Sequence, residues 1–171
     1  MNAEARMSEL MEFALTTKPV LSSDAAKIAA LGMIYIEEQV EAGSQARPHC
    51  TFLKKEKLGV IGAEFPKEHG DADKDQFANM IRNLRSDCDV VSFVTEAWVA
   101  QYDKSEYEQG SPRLMPRDHP NRKEVGLVHL YLKERMLMFM ADIKRKPDSV
   151  EPWKLYHDSA NSESKMEGRF A

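Results

Sequence analysis

The sequence predicts an α+β protein: a mainly antiparallel sheet of five to six strands, a packed crossover helix and two N-terminal helices. Three observations carry this. Apolar residues recur at helical spacing over residues 3–16, 24–42 and 74–86. Apolar runs of strand length occupy 50–53, 58–65, 90–101, 124–132 and 136–143. Short charged links at 54–57 and 133–135 join neighbouring runs as hairpins, and hairpins pair strands antiparallel because a parallel pair needs a long crossover. The order α-α-β-β-α-β-β-β therefore belongs to the α+β class.

In the first helix Met7, Leu10, Met11, Phe13 and Ala14 approximate one stripe, with Glu4, Glu9 and Glu12 on the other face. Lys18-Pro19 ends it, since a residue before proline avoids the α region. Ser22, Ser23 or Asp24 caps the second helix, which carries Ala25, Ile28, Ala29, Leu31, Met33, Ile36 and Val40 and stops at Gly43. Met33 to Ile36 is β-prone and leaves helix and strand both open there. His49 to Phe65 reads as a hairpin whose Gly59 and Gly62 suggest a bulge or a close backbone approach. Asp71 or Asp73 caps the third helix, where Phe77, Met80, Ile81 and Leu84 fall at i, i+3, i+4 and i+7. This helix links its flanking strands as a right-handed crossover.

In the strand 90–101, Val91, Phe93, Thr95, Ala97 and Val99 point one way, and Val90, Ser92, Val94, Glu96 and Trp98 the other. A long loop, 102–121, follows; loops of that length are often functional. In the last long strand Met136, Met138 and Met140 share one face, and Leu137, Phe139 and Ala141 the other. Trp153 to Tyr156 forms a short edge strand, and a polar, frayed tail begins at His157. The expected organisation is a helical segment 1–45, a sheet domain 46–157 and a tail 158–171. Two strands are apolar on both faces and one amphipathic helix covers only part of one face. Either the N-terminal helices complete the core of a monomer, or a homodimer forms through the Met136/Met138/Met140 face or those helices.

At 171 residues the chain is long enough for one core without disulfides or metals. With 42% hydrophobic and 30% charged residues it has a globular composition. A net charge of −4 and a pI near 5.8 argue against nucleic acid, although Lys144-Arg145-Lys146 is a local basic run. No apolar run approaches a membrane span and the N-terminus lacks a signal-peptide pattern, so a cytoplasmic location is expected. Cys50 and Cys88 match no metal spacing and read as reduced thiols.

Chemistry-bearing residues concentrate between Asp87 and Lys146. Glu96 lies on a strand expected to be buried, beside Trp98 on the same face. A buried carboxylate must be paired or protonated. Asp118, His119, Asn121, Arg122, Lys123 and Glu124 crowd one loop, with types suited to acid–base work or anion binding. Glu96 and His119 are the candidate catalytic residues; Trp98, Asp118, Arg122 and Glu124 are the candidate binding residues. The competing, favoured reading is a clamp in which Arg122 pairs with Glu96 or Glu124 and fixes the loop to the sheet. The histidines 49, 69, 119, 129 and 157 form no HExxH or HxH, and no CxxC, P-loop, GxGxxG or GxSxG occurs; no metal or cofactor is expected.

Through TEAW (Glu96, Ala97, Trp98), DHPNRKE (His119, Pro120, Arg122, Glu124) and the closing EGRFA, the chain resembles a small bacterial family of uncharacterised proteins. Asn121 departs from that family's acidic residue. The resemblance covers a minority of the chain and implies an α+β protein without an established activity. The leading expectation is a non-catalytic binding or protein-interaction module. The alternatives are a small hydrolase-like enzyme at Glu96, His119 and Arg122, and a phage or mobile-element accessory protein.

Overall fold

Asn2 accepts a hydrogen bond from the Glu4 amide and starts helix α1 (Ala3–Thr17). Ser22 does the same for Ala25 at the start of α2 (Ser23–Glu41), and Gly43 beyond its end takes the left-handed φ of +69°. The β-prone stretch Met33 to Ile36 is helical, because packing on the sheet overrides local propensity. The computed structural model describes residues 2–18, 21–63, 70–103, 105 and 114–160. After α2 come β1 (His49–Lys54), β2 (Lys57–Gly62), α3 (Gly70–Asp87), β3 (Val90–Ala100), β4 (Arg122–Tyr131), β5 (Met136–Arg145), β6 (Asp148–Val150) and β7 (Lys154–Asp158). A short 3-10 turn, Pro116–Asp118, precedes β4.

The α+β class holds, with an antiparallel sheet of seven strands in the order β2-β1-β3-β4-β5-β6 and β7 paired to β5. The count exceeds the expected five to six because β6 and β7 share one edge of β5: β6 pairs near Lys144 and β7 near Met138. The crossover through α3 skips a strand, since β1 lies between β2 and β3. The tail boundary is corrected. His157 and Asp158 belong to β7 and are buried, with Asp158 paired to Lys18 (2.5 Å) and Arg135 (3.5 Å). Burial pushes the Asp158 carboxyl up, but Lys18, the Ala160 amide and Arg135 together hold it below the usual carboxylate range. The expected cap residue Asp71, the hairpin end at residues 64 and 65, and the EGRFA segment lie outside what can be described of side chains or backbone.

Strand alternation divides the sheet into two faces. On the first, Val90, Val94, Val128, Leu130, Leu137, Phe139, Ala141 and Ile143 pack under α1 and α2. The N-terminal helices thus share one core with the sheet. Helix α2 lies unusually close: a Cβ on Gly32 would sit 2.7 Å from Val94 Cγ2, and one on Gly126 2.9 Å from Ile36 Cγ2. Glu37 locks the layer by accepting from Arg6 (2.6 and 2.9 Å) and from Trp153 Nε1 (2.9 Å). On the second face α3 places Phe77 and Ile81 against Cys50, Val91, Phe93, Tyr131 and Met136. That smaller cluster covers only one end of the face.

Candidate functional site

The hairpin β4–β5 fixes the site. Its pairing sets Tyr131 opposite Met136, so His129 faces Met138, Leu127 faces Met140 and Val125 faces Asp142. All share the second face, because side chains two apart on a strand lie on the same side. Beyond the reach of α3 this row opens as a groove of about 770 Å³. Leu127, Met138 and Met140 give it an apolar floor, while Lys123, Asp142, Asn121, Gln101, Tyr102 and Tyr156 supply polar groups. The volume lies within the range of small-molecule pockets.

Among the described residues of this lining, His129 is the one deeply buried polar side chain. Its ring lies 5.9 Å from that of Phe93 and 6.1 Å from that of Tyr131. Nδ1 is sealed from solvent and has no hydrogen-bond partner among the described residues. Burial holds the imidazole down at about 4, with nearby His157 pushing the same way, so the ring is neutral at physiological pH. Lys123 and Asp142, the two charged residues among the described lining, pair with each other at 3.0 Å.

The residues singled out from the sequence lie elsewhere, and Glu96 is already fully engaged. Glu96 is on the first face. Its Oε1 accepts from the Ala46 amide (2.7 Å) and its Oε2 from Arg145 Nη2 (2.6 Å). Arg145 also donates to Glu124 (2.9 Å) and to the Ser44 carbonyl (2.9 Å). Burial raises the Glu96 carboxyl above its ordinary value; the Ala46 amide and Arg145 oppose this and Glu124 adds to it. Glu96 and Glu124 are thus paired, but by Arg145 of the basic run and not by Arg122, and the pairing ties β3, β4 and β5 to residues 44 and 46, not the 102–121 loop to the sheet. In the register Glu96 lies opposite Gly126 and Gly126 opposite Ala141, and Arg145 shares the first face further along β5.

Arg122 instead lies over the Trp98 ring, 5.2 Å from its centroid, and donates to the Arg117 carbonyl at 2.6 Å. Trp98 is itself exposed. His119 is buried; its Nδ1 accepts from the Asn121 amide (3.1 Å) and its ring meets Tyr102 edge-on at 4.7 Å. Asp118 is exposed and 3.5 Å from Arg117. A small pocket of about 210 Å³ is lined by Glu96, Trp98 and Glu124. Neither it nor the groove is lined by His119 or Arg122, so the structure does not gather Glu96, His119 and Arg122 into one site. Of the Met row, Met136 is covered by α3, whereas Met138 and Met140 form groove floor.

In the sequence His129 is one of five histidines without a metal-binding motif, and no motif there set it apart. Strand register could have done so. A hairpin centred on 133–135 sets His129 opposite Met138, and a histidine amid methionines and leucines on one face is an unpaired polar group in an apolar row.

Among the described residues no group of three or more His, Cys, Asp or Glu side chains is spaced to hold a metal ion. Cys50 and Cys88 are buried and free, and burial pushes the Cys50 thiol up to about 12, which makes it a poor nucleophile. Among the described residues no helix is long and apolar enough to cross a membrane. No protein-family model, curated protein or solved structure matches this chain.

Proposed function

We propose that the chain is a non-catalytic binding module whose ligand is a small, largely apolar molecule held in the groove of the second face. The observation that carries this is the groove itself: an apolar floor of Leu127, Met138 and Met140 with one buried, incompletely partnered imidazole. Apolar walls with few polar groups are the usual composition of a small-molecule pocket. Binding is favoured over acid–base catalysis by the same histidine. A general base works best with a pKa near the operating pH, and His129 is held well below it. The buried, reduced cysteines suit a cytoplasmic setting.

Titration with Nile red, a neutral dye that brightens in apolar surroundings, tests the reading. Saturable binding with one dye per chain is expected. Leu127→Arg, which sets a charge on the half-buried floor, should weaken it roughly tenfold, about 1.4 kcal/mol, while the circular dichroism spectrum is retained. Absence of saturable binding, or a folded Leu127→Arg protein that binds the dye as well as the wild type, overturns it.

A further inference from the structure

We infer that the groove selects an uncharged ligand carrying a carbonyl or comparable acceptor oxygen, which receives a hydrogen bond from Nε2–H of His129. The inference rests on the binding role proposed above and adds the chemical class of the ligand.

The tautomer comes first. A neutral imidazole carries one proton, on Nδ1 or on Nε2. Nδ1 is sealed from solvent with no acceptor among the described residues. A proton there would be a buried, unpaired N–H, which costs more than a bare ring lone pair. The proton therefore belongs on Nε2. His129 lines the groove and is 5% exposed, and Nε2, unlike Nδ1, is not among the sealed, unpartnered atoms. The groove thus offers a donor at its floor, and the complementary ligand atom is an acceptor.

Charge comes second. Among the described residues the lining holds one cation and one anion, Lys123 and Asp142, and they pair with each other at 3.0 Å. Among the described residues no further charge lines the groove to neutralise a carboxylate, a phosphate or an ammonium, and an ion removed from water without a counter-charge is disfavoured. Ligand bodies are further limited by Leu127, Met138, Met140 and Val99, whose surfaces are apolar, and the two methionines can adapt to irregular shapes. A flat or branched hydrocarbon body with one neutral oxygen meets all of these demands.

Three probes of similar shape separate the alternatives, each read by displacement of Nile red at pH 7.5. They are 2-acetylnaphthalene (neutral acceptor), 2-ethylnaphthalene (no acceptor) and 2-naphthoate (anion). The wild type should bind the ketone roughly tenfold more tightly than the naphthoate, which corresponds to one unpaired charge at a partly open site. His129→Phe should lower ketone affinity about fivefold and leave 2-ethylnaphthalene within about twofold, as expected for loss of one hydrogen bond. Long-range proton–nitrogen NMR of the wild type gives a readout that needs no variant: the neutral Nε2–H tautomer, with Nε2 shifted by the ketone and not by 2-ethylnaphthalene. Tighter naphthoate than ketone binding, an Nδ1–H tautomer, or a folded His129→Phe protein with unchanged ketone affinity overturns the inference while the binding role stands. If none of the probes displaces the dye and the dye itself does not bind, the binding role falls and this inference with it.

Discussion

The two faces of β3–β5 treat their polar residues in opposite ways. On the first face Glu96, Glu124 and Arg145 form a closed set: Arg145 contacts both carboxylates, and the remaining oxygen of Glu96 takes the Ala46 amide. On the second face the buried His129 keeps Nδ1 without a hydrogen-bond partner among the described residues and lines open volume. The contrast teaches that conspicuous charge and available chemistry are different properties. A carboxylate that already has a guanidinium and an amide has little left to offer a ligand, whereas a neutral imidazole with spare hydrogen-bonding capacity has both room and reason to meet one.

The largest expected effect breaks the first face. Arg145→Ala strips the cation from two carboxylates whose side chains are only 8% and 10% exposed. Urea unfolding should show a loss of about 3–4 kcal/mol, the usual cost of orphaning buried charge. Adding Glu96→Gln and Glu124→Gln should return part of it. Nile red binding by the folded fraction should be unchanged; if it changes, the faces are coupled and the contrast fails.

The second test sharpens the other face through pH. An ordinary histidine titrates near 6.5, whereas folded His129 resists protonation until about 4. Between those values the unfolded chain binds the proton that the folded chain refuses. Stability therefore falls as pH drops from 6.5 toward 4, by about 3 kcal/mol over the window. His129→Phe should lack this component, so the wild-type-minus-variant difference in unfolding free energy should slope across that range and be flat above pH 7. A parallel pair of curves would place His129 in an ordinary solvated setting.

The smallest effect concerns the loop that sequence reading favoured. Arg122 lies on an exposed Trp98, and an exposed cation–π contact is worth about 0.5–1 kcal/mol. Arg122→Ala should cost no more than that in thermal or urea unfolding and should leave dye affinity unaltered. A loss as large as that of Arg145→Ala would restore Arg122 to the role of clamp.

Much of the fold was legible in the residues. Ser22 and Gly43 bound α2 as capping chemistry requires, and the alternation in 90–100 assigned Phe93 and Val94 to opposite faces. The end of the chain was less legible. His157 and Asp158 look like the start of a polar tail, but a pairing with Met138 and the cations Lys18 and Arg135, far away in sequence, bury them. The need for a clamp at Glu96 was also readable, because a carboxylate on an apolar strand requires a partner. Which arginine supplies it was not.

What the sequence determined by itself is local: periodicity, caps and turns set the helices, the hairpins, the antiparallel class and the row that joins His129 to Met138 and Met140. Those signals depend on residues a few positions apart. What the tertiary structure decided is which polar groups find partners. Arg145 reaches Glu96 across 49 positions and Lys123 reaches Asp142 across 19, while α3 stops short and leaves the far half of its face open. Pairing of that kind depends on strand order and on how much of a face one helix can cover, and these arise only when the separate elements pack together.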